Sequence, residues 1–111
     1  MANNQPRRAA VLGGNRIPFM RQFGPYAEAS NQDMFTAALD GLIARYNLGG
    51  KHIDEVAGGA VIKHSRDFNL TRECVLGSAL DNATPAYDLQ QACDTGLQAA
   101  LAVGGKIALG Q

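Results

Sequence analysis

The stretch DLQQACDTGLQAAL, residues 88–101, places a cysteine between an alternating run typical of a strand and a run of small and aliphatic residues typical of a helix. Cys93 is therefore predicted to lie at or near the first turn of that helix. Unpaired backbone N–H groups and the positive end of the helix dipole favour an anion there, so a thiolate would be stabilised. This placement is typical of a nucleophilic cysteine.

A second interpretation of Cys93 is structural. A free cysteine often packs as a small buried hydrophobic side chain, and its place in the sequence alone does not decide between the two roles. Thr95, Gly96 and Ala99 are small, which would leave room for a substrate carbonyl beside the sulfur and would let the helix pack closely. Cys74 lies beside apolar neighbours in another helical run and is predicted to be a core residue.

The two cysteines stand far apart, with no CxxC motif and no histidine at ligand spacing, so we expect neither a metal site nor a disulfide framework. The glycine doublets complete neither a GxGxxG motif nor a P-loop and are expected to be turns or close-packing sites. A reducing, cytoplasmic setting is therefore predicted.

Strand-like and helix-like patterns alternate along the chain, which predicts the α/β fold class. Strands are expected at residues 8–14, 55–62 and 85–91. The segment between the first strand and the first helix contains two prolines and is predicted to be a loop.

Three helices are expected. The first begins after Ser30, which forms a capping-box pattern with Asp33, and it has one apolar face. That face comprises Phe35, Ala38, Leu39, Leu42, Ile43 and Tyr46. The second begins after Asn69, and the third runs from Cys93 to about Gly110. The third helix carries apolar residues at helical spacing, namely Leu97, Ala100, Leu101 and Ala108.

Composition and charge exclude several classes of function. The chain has 111 residues, of which 46% are hydrophobic, enough for one domain with a modest core. Its 10 basic and 10 acidic residues are scattered and form no basic stripe, so nucleic acid is not an expected partner. No apolar run approaches the length of a membrane span, and too few apolar residues follow the twin arginine for a signal peptide. Neither export nor membrane insertion is expected.

Three motifs resemble the N-terminal part of thiolases, which include 3-ketoacyl-CoA thiolases and acetyl-CoA acetyltransferases. QQACDTGLQAAL, residues 90–101, is similar to the family's A-C-x-[ST]-[GS]-L/F-Q-A pattern after the third strand. NLTRE, residues 69–73, resembles an N-x-[AT]-R stretch, and RIPF, residues 16–19, follows the first strand as it does in the family. The likeness extends from Arg8 to Gln111. It implies the N-terminal part of a layered α/β/α fold, incomplete, in which residues 1–111 form the nucleophile-bearing segment.

The resemblance implies that Cys93 is the acylated nucleophile of an acyltransferase of lipid metabolism. Its thiolate would attack the thioester carbonyl of an acyl-CoA, backbone N–H groups would hold the oxyanion, and coenzyme A would leave. The acyl group would then pass to coenzyme A or to an acyl-CoA carbanion. Acyl-CoA and coenzyme A are thus implied as substrates, with no covalently bound cofactor and no metal. A homo-oligomer is also implied.

Two residues depart from the family pattern. Gln90 stands where Asn, Ser or Thr is frequent, and Asp94 stands where a small uncharged residue is usual. A carboxylate at position 94 would favour the helix N-terminus but would oppose a thiolate on the preceding residue. The family's activating histidine and second cysteine come from regions that this chain does not match, and His52 and His64 are expected in exposed loops.

The chain is therefore predicted to act with the rest of a thiolase, either in one longer chain or in a companion chain. By itself it is expected to associate through exposed apolar surface and to be inactive. The alternative is a noncatalytic α/β interaction module that retains the dimer surface of the thiolase fold.

Overall fold

The computed structural model describes residues 5–111, so residues 1–4 of the predicted segment lie outside the described residues. Its elements alternate between helix and strand, as the sequence predicts. In chain order they are α1 (Asn31–Arg45), β1 (Val56–Gly58), α2 (Leu70–Leu76), β2 (Ala86–Asp88), a 3₁₀ turn (Ala92–Asp94) and α3 (Thr95–Leu109).

Helix α1 begins where its capping box predicts. The Asp33 N–H donates to Ser30 Oγ at 3.0 Å, and the Ser30 N–H donates to Asp33 Oδ2 at 2.9 Å. These reciprocal bonds satisfy two donors at the helix start, and the bond from the Ser30 N–H lowers the pKa of Asp33. The helix ends at Arg45, shortly before Asn47 takes a φ of 55°. Leu39 and Ile43 on its apolar face are buried, which confirms that part of the predicted face.

Strands β1 and β2 are parallel and adjacent, with Gly58 opposite Asp88. Both are shorter than predicted because the chain leaves the ladder immediately after this pair. A methyl group on Gly59 would come within 2.1 Å of the Leu89 carbonyl oxygen, so only a residue without a Cβ fits there. The sheet therefore ends in a tight junction directly before the turn that carries Cys93.

The predicted strand at residues 8–14 is wrong. This segment is unpaired, and Val11 is 95% exposed. Side chains of α1 and its C-cap take its carbonyls: the Tyr46 hydroxyl donates to Leu12, and Arg45 donates to Gly14. These carbonyls are thus bound by side chains that lie more than 30 positions away, and the segment forms no strand ladder with β1.

Helix α2 supplies three of the six buried residues of the core cluster. Asn69 caps it by accepting from the Arg72 N–H at 3.0 Å, as predicted. Leu70, Cys74 and Val75 are almost fully buried, together with residues of α1 and with Leu80. The predicted core role of Cys74 is therefore confirmed.

The two glycines at the end of β1 show how the layers are arranged. A methyl group on Gly58 would collide with Phe35 of α1 and Thr71 of α2, whereas one on Gly59 would collide with Thr95 of α3. Successive residues of an extended chain point to opposite faces, so α3 lies on the face opposite α1 and α2. This is the predicted α/β/α layering.

Helix α3 packs through small residues and leaves most of its apolar residues at helical spacing exposed, as expected for this chain by itself. Thr95 and Ala99 are buried, and α3 packs on β1. Leu97 and Leu101 are 63% and 61% exposed. This arrangement has a physical reason: small side chains allow a helix to approach a glycine-containing strand closely, and they leave the bulkier leucines on the outer side.

The Asp88 carboxylate joins the sheet to α2. It accepts from the Leu70 and Thr71 N–H groups at 2.8 and 2.7 Å and from Lys63 Nζ at 2.5 Å. Burial by itself would raise the pKa of Asp88, but the bonds from Lys63 and these N–H groups lower it overall. The ionised carboxylate is therefore the form that the fold stabilises.

We predict that Asp88→Asn lowers the free energy of unfolding by about 1–3 kcal/mol at pH 7, because a charged acceptor of three donors is lost. Since the folded-state pKa lies below the ordinary value of 3.8, this stabilisation is complete above that value and is lost as the pH falls through the lower one. Urea unfolding at pH 7 and over the acid range measures both effects. Asp54→Asn, at an exposed carboxylate, is the control. Equal losses in the two variants would contradict the prediction.

Candidate nucleophile site

Cys93 occupies the middle of the 3₁₀ turn between β2 and α3, and its side chain is exposed. The turn follows the carboxyl end of the parallel strands, which is the edge where ligands bind in open α/β sheets. The predicted position at the junction of strand and helix is therefore confirmed. Helix α3 itself starts two residues later, at Thr95.

The residue before the cysteine has an unusual backbone. Ala92 has a φ of 46°, in the left-handed region that residues with a Cβ seldom adopt. The Thr95 hydroxyl donates to the Ala92 carbonyl at 2.7 Å and accepts from the Gln91 N–H at 3.0 Å. A further bond within the turn joins the Asp94 N–H to the Gln91 carbonyl at 2.9 Å.

Gln90 connects this turn to the loop after β1. Its amide nitrogen donates to the Val61 carbonyl at 3.0 Å. Its Oε1 lies 3.5 Å from the Ala92 N–H, longer than an ordinary hydrogen bond. The departure from the family pattern at position 90 thus places a long amide side chain across the base of the turn.

The small residues expected beside the sulfur have two different environments. Thr95 and Ala99 are buried against the sheet, so they serve close packing and do not leave room for a substrate, while Gly96 is exposed. Sequence reasoning treated Thr95 only as a small side chain and missed its two hydrogen bonds. A signal was present, because a hydroxyl residue two positions after a turn cysteine can bond the backbone of that turn.

Asp94 is the N-cap residue of α3, but its carboxylate makes no capping hydrogen bond and is exposed. The Asp94 carboxylate can therefore act on Cys93 only as a charge across solvent, and salt screens such an interaction. His52 and His64 both lie in loops and are exposed, as predicted.

Cys74 differs from Cys93 in exposure, because its side chain is buried and that of Cys93 is exposed. It has no exposed surface, and its sulfur lies 3.8 Å from the Gln32 carbonyl oxygen. Burial raises the pKa of the Cys74 thiol. A protonated thiol inside the core is unreactive, so Cys93 is the accessible candidate of the two.

Residues 5–111 contain no group of three or more histidine, cysteine, aspartate or glutamate side chains that could hold a metal ion. Within the same range, no helix has the length and hydropathy needed to cross a membrane. Arg16 donates to the Ile17 carbonyl at 3.2 Å and stacks on Phe19, so it fixes its own loop.

Comparisons with known proteins agree on one family. The family described as thiolase, N-terminal domain, matches residues 9–111. A 3-ketoacyl-CoA thiolase of Shewanella sp. strain ANA-3 is 34% identical over 110 residues, which are 99% of this chain and 25% of that protein. The mitochondrial trifunctional enzyme subunit beta of Mus musculus is 33% identical over 111 residues, 100% of this chain and 23% of that protein. The chain thus spans about a quarter of the length of these relatives.

A solved structure shows the same fold. The crystal structure of the Bacillus anthracis acetyl-CoA acetyltransferase superposes with a TM-score of 0.88 at 21% identity, covering 97% of this chain and 27% of that one. The incomplete layered fold predicted from the sequence is confirmed by this match.

We predict that a thiol-alkylating reagent modifies Cys93 at least about 100-fold faster than Cys74, because burial raises the pKa of the Cys74 thiol and keeps the reagent away from its sulfur. Peptide mass analysis of a time course at pH 7.5 gives both rates in one sample. Denaturation in urea should bring the two rates together, which is the control. Similar rates in the folded protein would mean that the environments described for the two thiols are wrong.

For the charge beside the nucleophile, Asp94→Asn should speed alkylation of Cys93 by about two- to threefold at low ionic strength, because a negative charge next to the thiolate is removed. The difference should vanish near 1 M salt. Glu73→Asn, which removes an acidic residue from α2, is the matched control. An unchanged rate at low salt would show that Asp94 does not influence the thiol.

Proposed function

Because the chain belongs to the thiolase family, matched over residues 9–111, we propose that it supplies the nucleophile of an acyl-CoA acyltransferase and that this nucleophile is Cys93. The observation that carries the proposal is the position of an exposed thiol in a turn at the carboxyl edge of the parallel strands. The second thiol, of Cys74, is buried in the core and is inaccessible to a substrate.

In the proposed reaction the Cys93 thiolate attacks the acyl carbonyl carbon of an acyl-CoA. The carbonyl oxygen becomes negative and is held by backbone N–H groups, among them that of Cys93 itself. The carbon–sulfur bond to coenzyme A then breaks, coenzyme A leaves and takes up a proton, and a thioester to Cys93 remains. Coenzyme A or an acyl-CoA carbanion accepts the acyl group in the second step and regenerates the thiolate.

The names of the relatives indicate a substrate class. Two of them are named for 3-ketoacyl-CoA or acetyl-CoA chemistry, so an acyl-CoA is the proposed substrate class. The proton-transferring groups that pair with Cys93 are proposed to come from the three-quarters of the thiolase length that this chain does not cover. A homo-oligomeric, cytoplasmic enzyme without a bound metal remains the accompanying prediction.

The noncatalytic alternative rests on one observation. Leu97 and Leu101 form an exposed apolar face on α3, which suits contact with another protein surface. An exposed apolar face is compatible with an acylated Cys93. Only the absence of acyl transfer would therefore distinguish the interaction module from the acyltransferase.

We predict that incubation with an acyl-CoA adds the acyl mass to Cys93, in the native assembly purified through a tag on this chain. Cys93→Ser should lower acyl transfer by about 1000-fold or more, because an alcohol is far less ionised than a thiol near neutral pH. Cys74→Ala is the matched control and should retain transfer. The 111 residues alone are expected to associate and to be inactive. Acylation of Cys74, or full activity of Cys93→Ser, would refute the assignment, and a wild-type assembly that takes no acyl group would favour the interaction module.

A further inference from the structure

We propose that Thr95 is a positioning residue: its hydroxyl holds the backbone of the turn in the one conformation that presents Cys93 to a substrate. The consequence for acyl transfer rests on the proposed function. The structural claim, that the hydroxyl fixes the turn, does not depend on it.

The turn needs an external restraint. Ala92 sits at a φ of 46°, where its Cβ crowds the neighbouring backbone, so this conformation is unfavourable for an alanine by itself. Such a conformation persists only when surrounding contacts determine it. Cys93 follows directly, so the peptide group between Ala92 and Cys93 sets the direction of both the sulfur and the Cys93 N–H.

The Thr95 N–H already donates to the Ala92 carbonyl, and the Thr95 hydroxyl adds a restraint on both sides of Ala92. It donates its proton to the Ala92 carbonyl at 2.7 Å and accepts the Gln91 N–H at 3.0 Å. Both distances are typical of well-formed hydrogen bonds, and one hydroxyl group makes both bonds. Rotation of Ala92 toward a negative φ would move its carbonyl and break the shorter of the two bonds.

The hydroxyl is itself held in place by packing. Thr95 is buried, and a methyl group on Gly59 would come within 2.9 Å of its Cγ2 atom. The side chain is therefore wedged between the end of β1 and the turn. The end of β1 thus fixes Thr95, and Thr95 fixes the backbone at Ala92. Cys93 follows directly, with an exposed side chain.

If the hydroxyl is removed, Ala92 can relax and the peptide before Cys93 rotates. The sulfur and the N–H then leave the geometry that attack on a carbonyl requires, while no residue outside the turn is changed. Misplacement of a reacting group by about 1 Å costs roughly 100-fold in rate. Thr95→Val, which keeps the shape but loses the hydroxyl, should therefore lower kcat by about 10- to 100-fold and change KM by less than about twofold.

The test compares Thr95→Val with Thr95→Ser in the native assembly. Serine keeps the hydroxyl and should retain most of the wild-type rate of acyl transfer and of Cys93 alkylation. Thr95→Val should slow both. Equal behaviour of Thr95→Val and wild type would overturn the proposal, and so would a serine variant as slow as the valine variant.

Two further measurements separate positioning from loss of fold. Cys74 reports on the core: it should stay protected from alkylation in both variants. In an Ala92→Gly background, where glycine adopts the positive φ without crowding, the effect of Thr95→Val should shrink. Unfolding of Thr95→Val in the Ala92 background but not with Ala92→Gly would also support the restraint. An effect of the same size in both backgrounds would overturn it.

If the wild-type assembly takes no acyl group, the proposed function fails, and the alkylation rates still decide whether Thr95 fixes the turn.

Discussion

The carboxylate of Asp88 is the point at which the sheet, α2 and the loop before α2 are joined. It ends β2, binds the first two N–H groups of α2 and pairs with Lys63. A partly buried carboxylate is tolerated only when donors surround it, so these elements are held in one relative arrangement. The chain passes directly from this anchor through Leu89 to the turn of Cys93. The position of the nucleophile therefore depends on a charge five residues upstream that takes no part in the proposed chemistry.

The site also depends on the close approach of the neighbouring layers to the backbone at the end of β1. Gly58 faces Phe35 and Thr71, and Gly59 faces Leu89 and Thr95. A side chain at either position would push a layer away from the end of β1. Since Thr95 holds the turn through its hydroxyl, a displacement at Gly59 would reach Ala92 as well. The glycine pair, which by itself indicates only a turn, is thus part of the support for the cysteine.

Several large apolar side chains of the described residues are exposed. Leu97 and Leu101 on α3 are exposed, as are Val11 and Leu12 in the unpaired segment near the N-terminus. Exposed apolar surface of this kind marks contacts with further protein. This exposed surface agrees with the finding that the chain matches about a quarter of the length of its relatives. The turn with Cys93 is nevertheless formed within the described residues.

The sequence by itself determined the features that depend on neighbouring residues. The capping box of Ser30 and Asp33, the cap at Asn69 and the junction that carries Cys93 are local, because each is decided by hydrogen bonds or periodicity within a few positions. The thiolase motif around Cys93 indicated the family, which the matched residues confirm.

Only the tertiary structure decided which apolar surfaces are buried. The segment at residues 8–14 reads as a buried strand, yet Tyr46 and Arg45 take its carbonyls from more than 30 positions away. Leu97 has the periodicity of a core residue, but the close contact of Thr95 with the end of β1 turns the leucine outward. Periodicity identifies an apolar face but not its partner, because burial depends on residues that are distant in the chain and meet only when it folds.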